Sequence, residues 1–169
     1  MRQIKATQFF NSVRKAFGPL TQSQVEGFNT LIHAWEQSNL TDNRWFAYML
    51  ATVWHETDKT MQPIREKGGQ KYLKSKPYWP YYGRGYVQLT WKDNYTHYGI
   101  AKTPDRALEP ALAAHILIDG MVNGVFTTMS LRDYFGKNSD PVHARMIING
   151  LDCAEKVAGY YRVFLKALV

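Results

Sequence analysis

Helical patterning in this chain breaks once, and that break limits the folds open to it. Three apolar-periodic stretches precede residue 57. Thr7 is placed to start a helix carrying Phe9, Phe10, Val13 and Phe17, stopped by Gly18-Pro19. Thr21-Gln22-Ser23-Gln24 has the form of a capping box ahead of Val25, Phe28, Ile32 and Trp35 at helical spacing. Thr41 or Asp42 can open a third helix, with Phe46, Met49, Leu50 and Val53 on one face and an end near Glu56. From 57 to 80 the periodicity is lost, and Pro63, Gly68-Gly69, Pro77 and Pro80 interrupt any long helix. Residues 81–89 alternate enough to predict a short strand or hairpin.

Helical pattern resumes at Thr90-Trp91-Lys92-Asp93, with Gly99 as its stop. Pro104 and Pro110 sit where first-turn prolines belong. Residues 111–125 are apolar over much of a helical circumference, which predicts a central helix. Short helices are expected from Ser130 and over 141–148. A last one starts at Asp152, with Val157, Tyr160, Tyr161, Phe164, Leu165 and Leu168 as a broad apolar face. The pattern predicts a mainly α chain, one domain over 1–169, with a loop-rich insertion at about 57–90. That insertion is too long for an ordinary connection, and long structured loops often carry function.

With 169 residues, 45% of them apolar and 14% aromatic, the chain can bury a substantial core. It must do so without an internal disulfide, because Cys153 is its one cysteine. That side chain is expected as a small buried hydrophobe. No apolar run approaches the ~20 residues of a membrane span. The stretch from Met1 to Ala6 lacks the apolar block of a secretory signal, so a cytoplasmic location is expected. The formal charge is +7. Lys59, Arg65, Lys67, Lys71, Lys74 and Lys76 crowd one stretch against a single carboxylate, Glu66. Such a surface favours an anionic partner: nucleic acid, an acidic membrane or an anionic cell-wall polymer. A helix for reading DNA and an aromatic RNA motif are both lacking, which argues against nucleic acid. Lys156, Arg162 and Lys166 beside the last helix's apolar face would allow weak contact with an anionic membrane. Packing of that face into the core is the simpler expectation.

Two carboxylates bracket the break. Glu56 ends an apolar helix beside Trp54 and His55. Partial burial there disfavours the charged form, so Glu56 is expected to hold a proton and act as a general acid. Glu66 follows Arg65 in a basic, glycine-flanked loop whose charge suits a general base. Asp58 competes for the base role but lies only two residues from Glu56. Between Tyr82 and Trp91 the chain mixes glycine, aromatics and uncharged hydrogen-bonding groups. On a strand, Tyr86, Gln88 and Thr90 would share a face toward a cleft, while Val87 and Leu89 point into the core. Paired carboxylates beside such a strand are what hydrolysis of a sugar polymer requires.

Other chemistries fit less well. His55-Glu56-Thr57-Asp58-Lys59 lacks the second histidine of a zinc protease. Gly83-Arg84-Gly85 lacks the third glycine of a dinucleotide loop. His115 and Asp119, four apart, suit a structural role better than a metal site. No metal and no cofactor is expected.

In order along the chain stand His55-Glu56-Thr57, Arg65-Glu66-Lys67-Gly68, and Gly83-Arg84-Gly85-Tyr86-Val87-Gln88-Leu89-Thr90-Trp91 with Asn94-Tyr95. Arg145-Met146-Ile147-Ile148-Asn149-Gly150 follows. Together they resemble the pattern of glycoside hydrolase family 19, in particular its short phage endolysin branch, over about residues 45–165. The resemblance implies a lysozyme-like, family 19 chitinase-like α-helical domain with a short β-hairpin beside the active-site cleft. It implies Glu56 as acid, Glu66 as base and Thr90 as the hydroxyl holding the attacking water. Gln88, Asn94 and Asn149 fall where that family places substrate-binding amides. His55, Tyr82 and Tyr86 are expected as further substrate contacts from their own side chains and positions. The added loops and disulfides of the plant chitinases are missing, and the acid–base spacing of ten residues suits the trimmed endolysins. The expected function is therefore an endolysin hydrolysing peptidoglycan glycan strands as a monomer, held in a host cytoplasm before release to the cell wall. A chitinase and a non-catalytic cell-wall-binding domain are the alternatives.

Overall fold

The computed structural model describes residues 3–169; Met1 and Arg2, the start of the stretch read above for a leader, lie outside the described residues. The fold is mainly helical. Its α-helices are α1 (Ala6–Phe17), α2 (Gln22–Gln37), α3 (Asn43–Glu56), α4 (Gln70–Lys74), α5 (Lys92–His97), α6 (Pro110–Asn123), α7 (Leu131–Tyr134) and α8 (Ala154–Leu168). Tighter 3-10 turns cover Pro104–Leu108 and His143–Ile147. Strands β1 (Ile64–Arg65) and β2 (Arg84–Gly85) pair antiparallel, with Ile64 opposite Gly85 and Arg65 opposite Arg84. The hairpin expected within 81–89 thus pairs back across the insertion to residues 64–65.

Local chemistry sets the boundaries. The capping box at α2 forms: Thr21 Oγ1 accepts from the Gln24 amide at 3.1 Å, and Gln24 Oε1 accepts from the Thr21 amide at 2.9 Å. Asp42 caps α3 by accepting from the Arg44 amide at 2.9 Å. α1 begins at Ala6 rather than after Thr7, with Lys5 as its cap residue. A neighbouring donor, the Ile4 amide, goes to the Glu36 carboxylate of α2 at 2.8 Å.

The core is built around α3, where every residue from Phe46 to Trp54 is buried. A helix apolar all round belongs in the interior. The sequence pattern assigned that role to α6, which instead packs against α2 and buries a narrower set of residues. α8 lies along α3 and α1. Phe28 joins them, 5.5 Å from Phe9, 6.1 Å from Trp54 and 5.8 Å from Phe164 between ring centres. Each such ring removes ~150–250 Å² from water, so this cluster carries much of the hydrophobic stabilisation. Val157, Ala158, Tyr161, Phe164 and Ala167 of α8 are buried in it, while Lys156, Arg162 and Lys166 face outward. The apolar face offered for membrane contact is therefore spent on the core. Among the described residues no helix is long and apolar enough to cross a membrane.

Cys153 departs from expectation. It is exposed, with φ +56°, at the turn leading into α8, and that left-handed turn keeps it out of the core.

Candidate active site

α3 ends by delivering Glu56 to a cleft of about 670 Å³, within the ~300–1,000 Å³ of ligand sites. The chain then turns back through Thr57, whose buried Oγ1 donates to the Val53 carbonyl at 2.7 Å and accepts from the Met61 amide at 3.1 Å. That turn leads into β1, and Glu66 follows directly. Its amide donates to the Gly83 carbonyl at 2.7 Å, continuing the ladder beyond β1 and β2. Its carboxylate is held at both oxygens: Tyr78 Oη donates to Oε1 at 2.7 Å, and the Gly83 amide donates to Oε2 at 2.9 Å. Gly83 lets Gln88 pack closely, since a Cβ would stand 2.8 Å from Gln88 Oε1 and 3.2 Å from Gln88 Cβ and would displace that side chain. Burial and the bond to Glu66 push the Tyr78 hydroxyl up to about 12, so it remains a donor through the neutral range.

Glu56 is held differently. Its side chain is 15% exposed, and Arg145 donates through Nη1 to its Oε1 at 2.6 Å. Arg145, 5% exposed, also donates through Nε to the Asp152 carbonyl at 2.9 Å. Among the described residues nothing bonds Glu56 Oε2, which leaves that oxygen for a ligand. Burial was thus half of what Glu56 meets, and a guanidinium 89 residues away is the other half. Arg145 stood in the sequence motif without a role, and its separation from Glu56 gave no signal.

The floor of the cleft is the segment after β2. Arg84 and Leu89 exchange both backbone hydrogen bonds, at 3.2 and 2.8 Å, closing a tight loop in which Gln88 has φ +54°. The period-two reading of this segment fails for that reason. Tyr86 turns inward, 1% exposed, with its hydroxyl unpartnered among the described residues. Val87 and Leu89, expected only in the core, line the cleft as well. Gln88 reaches the cleft, but its amide nitrogen is used up on the Ile64 carbonyl at 2.9 Å and the Gly85 carbonyl at 3.3 Å. Thr90 Oγ1 donates to the Gln88 carbonyl at 2.8 Å, so the hydroxyl keeps its lone pairs for a water. Asn94 Nδ2 donates to the Thr90 carbonyl at 2.8 Å and leaves its oxygen for a ligand. Trp91, 52% exposed, forms one lip, edge-on to Tyr78 with ring centres 5.4 Å apart.

The opposite wall holds Phe126, Thr127, Ile148, Asn149 and Gly150. The tip of the Phe126 ring packs against Gly120 of α6, where a Cβ would come within 2.0 Å of Cζ. Thr127 Oγ1 donates to the Met146 carbonyl at 2.7 Å, tying this wall to the turn that carries Arg145.

The cleft therefore brings together Glu56, Glu66, Gln88, Thr90, Asn94 and Asn149. It does not include Tyr86, His55 or Tyr82. His55 is half-buried on the last turn of α3; burial holds its imidazole below the usual range, with Arg145 and Lys156 acting in the same direction against Glu56. Tyr82 points to the other side of the strand pair and stacks on Trp79 at 5.7 Å. Arg65 pairs with Asp105 at 2.9 Å rather than with Glu66. Asp58, the rival base, is exposed, pairs with Lys67 and stands outside the cleft. Among the described residues no three histidine, cysteine, aspartate or glutamate side chains gather as metal ligands would.

The fold is similar to that of chitinase C from Streptomyces griseus HUT6037, with a TM-score of 0.54 and 20% sequence identity over 92% of each chain. No protein-family model matches the sequence, nor does any curated protein. The architecture is chitinase-like: helical, with one small antiparallel strand pair among the described residues.

Proposed function

We propose that this chain is a glycoside hydrolase acting on bacterial peptidoglycan, an endolysin that cuts the glycan by single displacement. The observation that carries the reading is the unequal treatment of two carboxylates lining one cleft. Both oxygens of Glu66 accept hydrogen bonds, an arrangement that fixes a charged base in orientation. Glu56 has one oxygen on Arg145 and one free. Glu56 rests as the ion partner of Arg145. In the proposed reaction its protonated form, with Oε1 still on Arg145, gives the proton on Oε2 to the glycosidic oxygen while Glu66 takes one from a water held by Thr90, and the anomeric configuration inverts. The carboxyl groups of such a pair stand ~6.5–9.5 Å apart, with room for the water between them. Asn94, Asn149 and the exposed Trp91 line the cleft where amides and an aromatic face can hold N-acetyl groups and a sugar ring.

Peptidoglycan is favoured over chitin by charge. The six cations between Lys59 and Lys76 suit a polymer bearing lactyl and peptide carboxylates, and chitin bears none. A chitinase is the second reading, favoured by the fold of the Streptomyces enzyme. Purified protein offered sacculi and chitin oligomers separates the two. Proton NMR of early products reads the anomer, and mass spectrometry of reduced muropeptides reads the bond cut. Glu56→Gln and Glu66→Gln should each abolish cleavage; a retained configuration, or lysis by either variant, would sink the mechanism.

A further inference from the structure

The strand pair that presents Glu66 has a second face. Arg65 and Arg84, opposite one another in the ladder, line a separate cavity of about 370 Å³ together with Tyr82, Asp105 and Arg106. No residue lines both this cavity and the cleft. Three arginines face two carboxylates there, Asp105 between Arg65 and Arg84 and Glu109 beside Arg106. Asp105 accepts from Arg65 Nη2 and from Arg84 Nε, each at 2.9 Å. Arg84 is 4% exposed and spends Nη1 on the carbonyls of Pro80 and Tyr82 and on the Tyr95 hydroxyl. Its Nη2 bonds nothing among the described residues. Arg106 is tied only to the exposed Glu109, at 3.2 Å.

Aromatic surface adjoins these donors. The Arg84 guanidinium stacks 3.7 Å from the centre of the Tyr82 ring, and Trp79 lies nearly parallel to that ring at 23°. Trp79 is 37% exposed, with the Lys74 ammonium 5.9 Å from its centre. A guanidinium fork is built for carboxylates, and an open indole offers a face to a sugar ring.

We propose that the Arg65–Arg84–Arg106 cavity and the Trp79–Tyr82 stack form a second, non-catalytic binding site for a carboxylate-bearing glycan strand. The inference rests on the peptidoglycan reading above. The site would anchor the enzyme on an insoluble wall while the cleft, on the other face of the same two strands, works on the strand it holds. One positive charge in excess of the two carboxylates, with the Arg84 Nη2 donor unbonded among the described residues, supplies the complementarity, and a neutral polymer would gain only the stacking contact.

The test uses Glu66→Gln protein, so that binding is read without cleavage. Co-sedimentation is measured with intact sacculi, with sacculi whose carboxyl groups have been amidated, and with chitin. Arg106→Ala and Trp79→Ala in that background should each weaken binding to intact sacculi about tenfold. Arg106→Ala should have no effect on amidated sacculi. In the active enzyme the same substitutions should slow clearing of sacculi while cleavage of short soluble oligomers stays within about twofold. Arg106 is exposed, so its variant stands should Trp79→Ala fail to fold. Equal binding by Arg106→Ala and its parent, or equal weakening on amidated sacculi, overturns the site. So does duplex DNA displacing the protein from sacculi through Arg106. Clearing of sacculi by Glu66→Gln itself would overturn the catalytic assignment instead, leaving the binding comparison to stand alone.

Discussion

Arg145→Met tests how the candidate acid is held. The substitution keeps an unbranched side chain of similar reach but removes the bonds to Glu56 Oε1, at 2.6 Å, and to the Asp152 carbonyl, at 2.9 Å. At an effective dielectric constant near 20, charges at the first of these distances attract by about 6 kcal/mol before desolvation is counted. Burial of both partners offsets part of that, and the side chains are only 5% and 15% exposed. Breaking a buried pair from one side typically costs about 3–5 kcal/mol, chiefly because the surviving charge is stranded. Glu56 retains some solvent, so the lower end applies, about 3 kcal/mol. For a chain of this size that lowers the unfolding midpoint by about 6–12 °C.

The decisive comparison is the double variant. Glu56→Gln with Arg145→Met leaves no stranded charge, so it should be more stable than Arg145→Met alone. Thermal unfolding at neutral pH, checked by urea titration, measures all four species. Simple additivity of the two single effects, or a midpoint for Arg145→Met within 2 °C of the parent (on the order of one half to one kcal/mol), would refute the account of Glu56 as an ion-paired side chain.

Three further outcomes follow from named contacts. Tyr78→Phe removes the donor to Glu66 Oε1 and leaves the Gly83 amide on Oε2; a hydrogen bond to a charged group contributes about 1.5–3 kcal/mol, so kcat should fall about 10–100-fold with little change in KM. His55 has a lowered folded pKa caused first by burial; the unfolded chain therefore binds the extra proton, and stability should fall as pH drops through about 6.5 toward the lower folded value. A His55→Gln variant, followed by melting between pH 8 and 5, should lose that part of the slope. Cys153 sits exposed at φ +56°, so Cys153→Gly should raise stability by about 0.4–1 kcal/mol, and native Cys153 should react fully with iodoacetamide without loss of activity.

What the sequence made legible was local. The capping box at Thr21, the cap at Asp42 and the helix start at Ser130 each depend on residues within three positions of one another, and each forms. Glu56 and Glu66 bracket a visible loss of periodicity, and both reach the cleft. Long-range partners were invisible: nothing near Glu56 announces Arg145, and nothing near Arg65 announces Asp105. Tyr86 was misplaced for a different reason. Alternation assigns faces only to extended backbone, and the Arg84–Leu89 closure with a left-handed Gln88 ends the extension after two residues. Tyr82 was read as a sugar contact from its aromatic side chain alone. The ladder register, with Arg65 opposite Arg84, puts it on the face away from Glu66.

Glu66 was expected in a basic, glycine-flanked loop with no fixed anchor. The structure ties Glu66 to the hairpin at its amide and both carboxylate oxygens, and ties Glu56 to the far wall through Arg145. What sets their separation is then the turn between them, Thr57 to Met61, and that turn rests on α2. At Gly27 a Cβ would stand 2.0 Å from the Met61 carbonyl oxygen and 2.8 Å from its carbon, a clash with backbone that no rotamer relieves. Gly27→Ala touches nothing in the cleft, yet it must push this turn away from α2. Overpacking of this kind costs about 1–3 kcal/mol, a fall of about 2–12 °C in the midpoint. A 1 Å misplacement of reacting groups can cost about 100-fold in rate. The expected result is a folded protein, assayed well below its midpoint, with kcat reduced by at least about tenfold. If Gly27→Ala loses stability but keeps full kcat, the turn does not govern the spacing of the two carboxylates, and their fixed geometry must come from the walls alone.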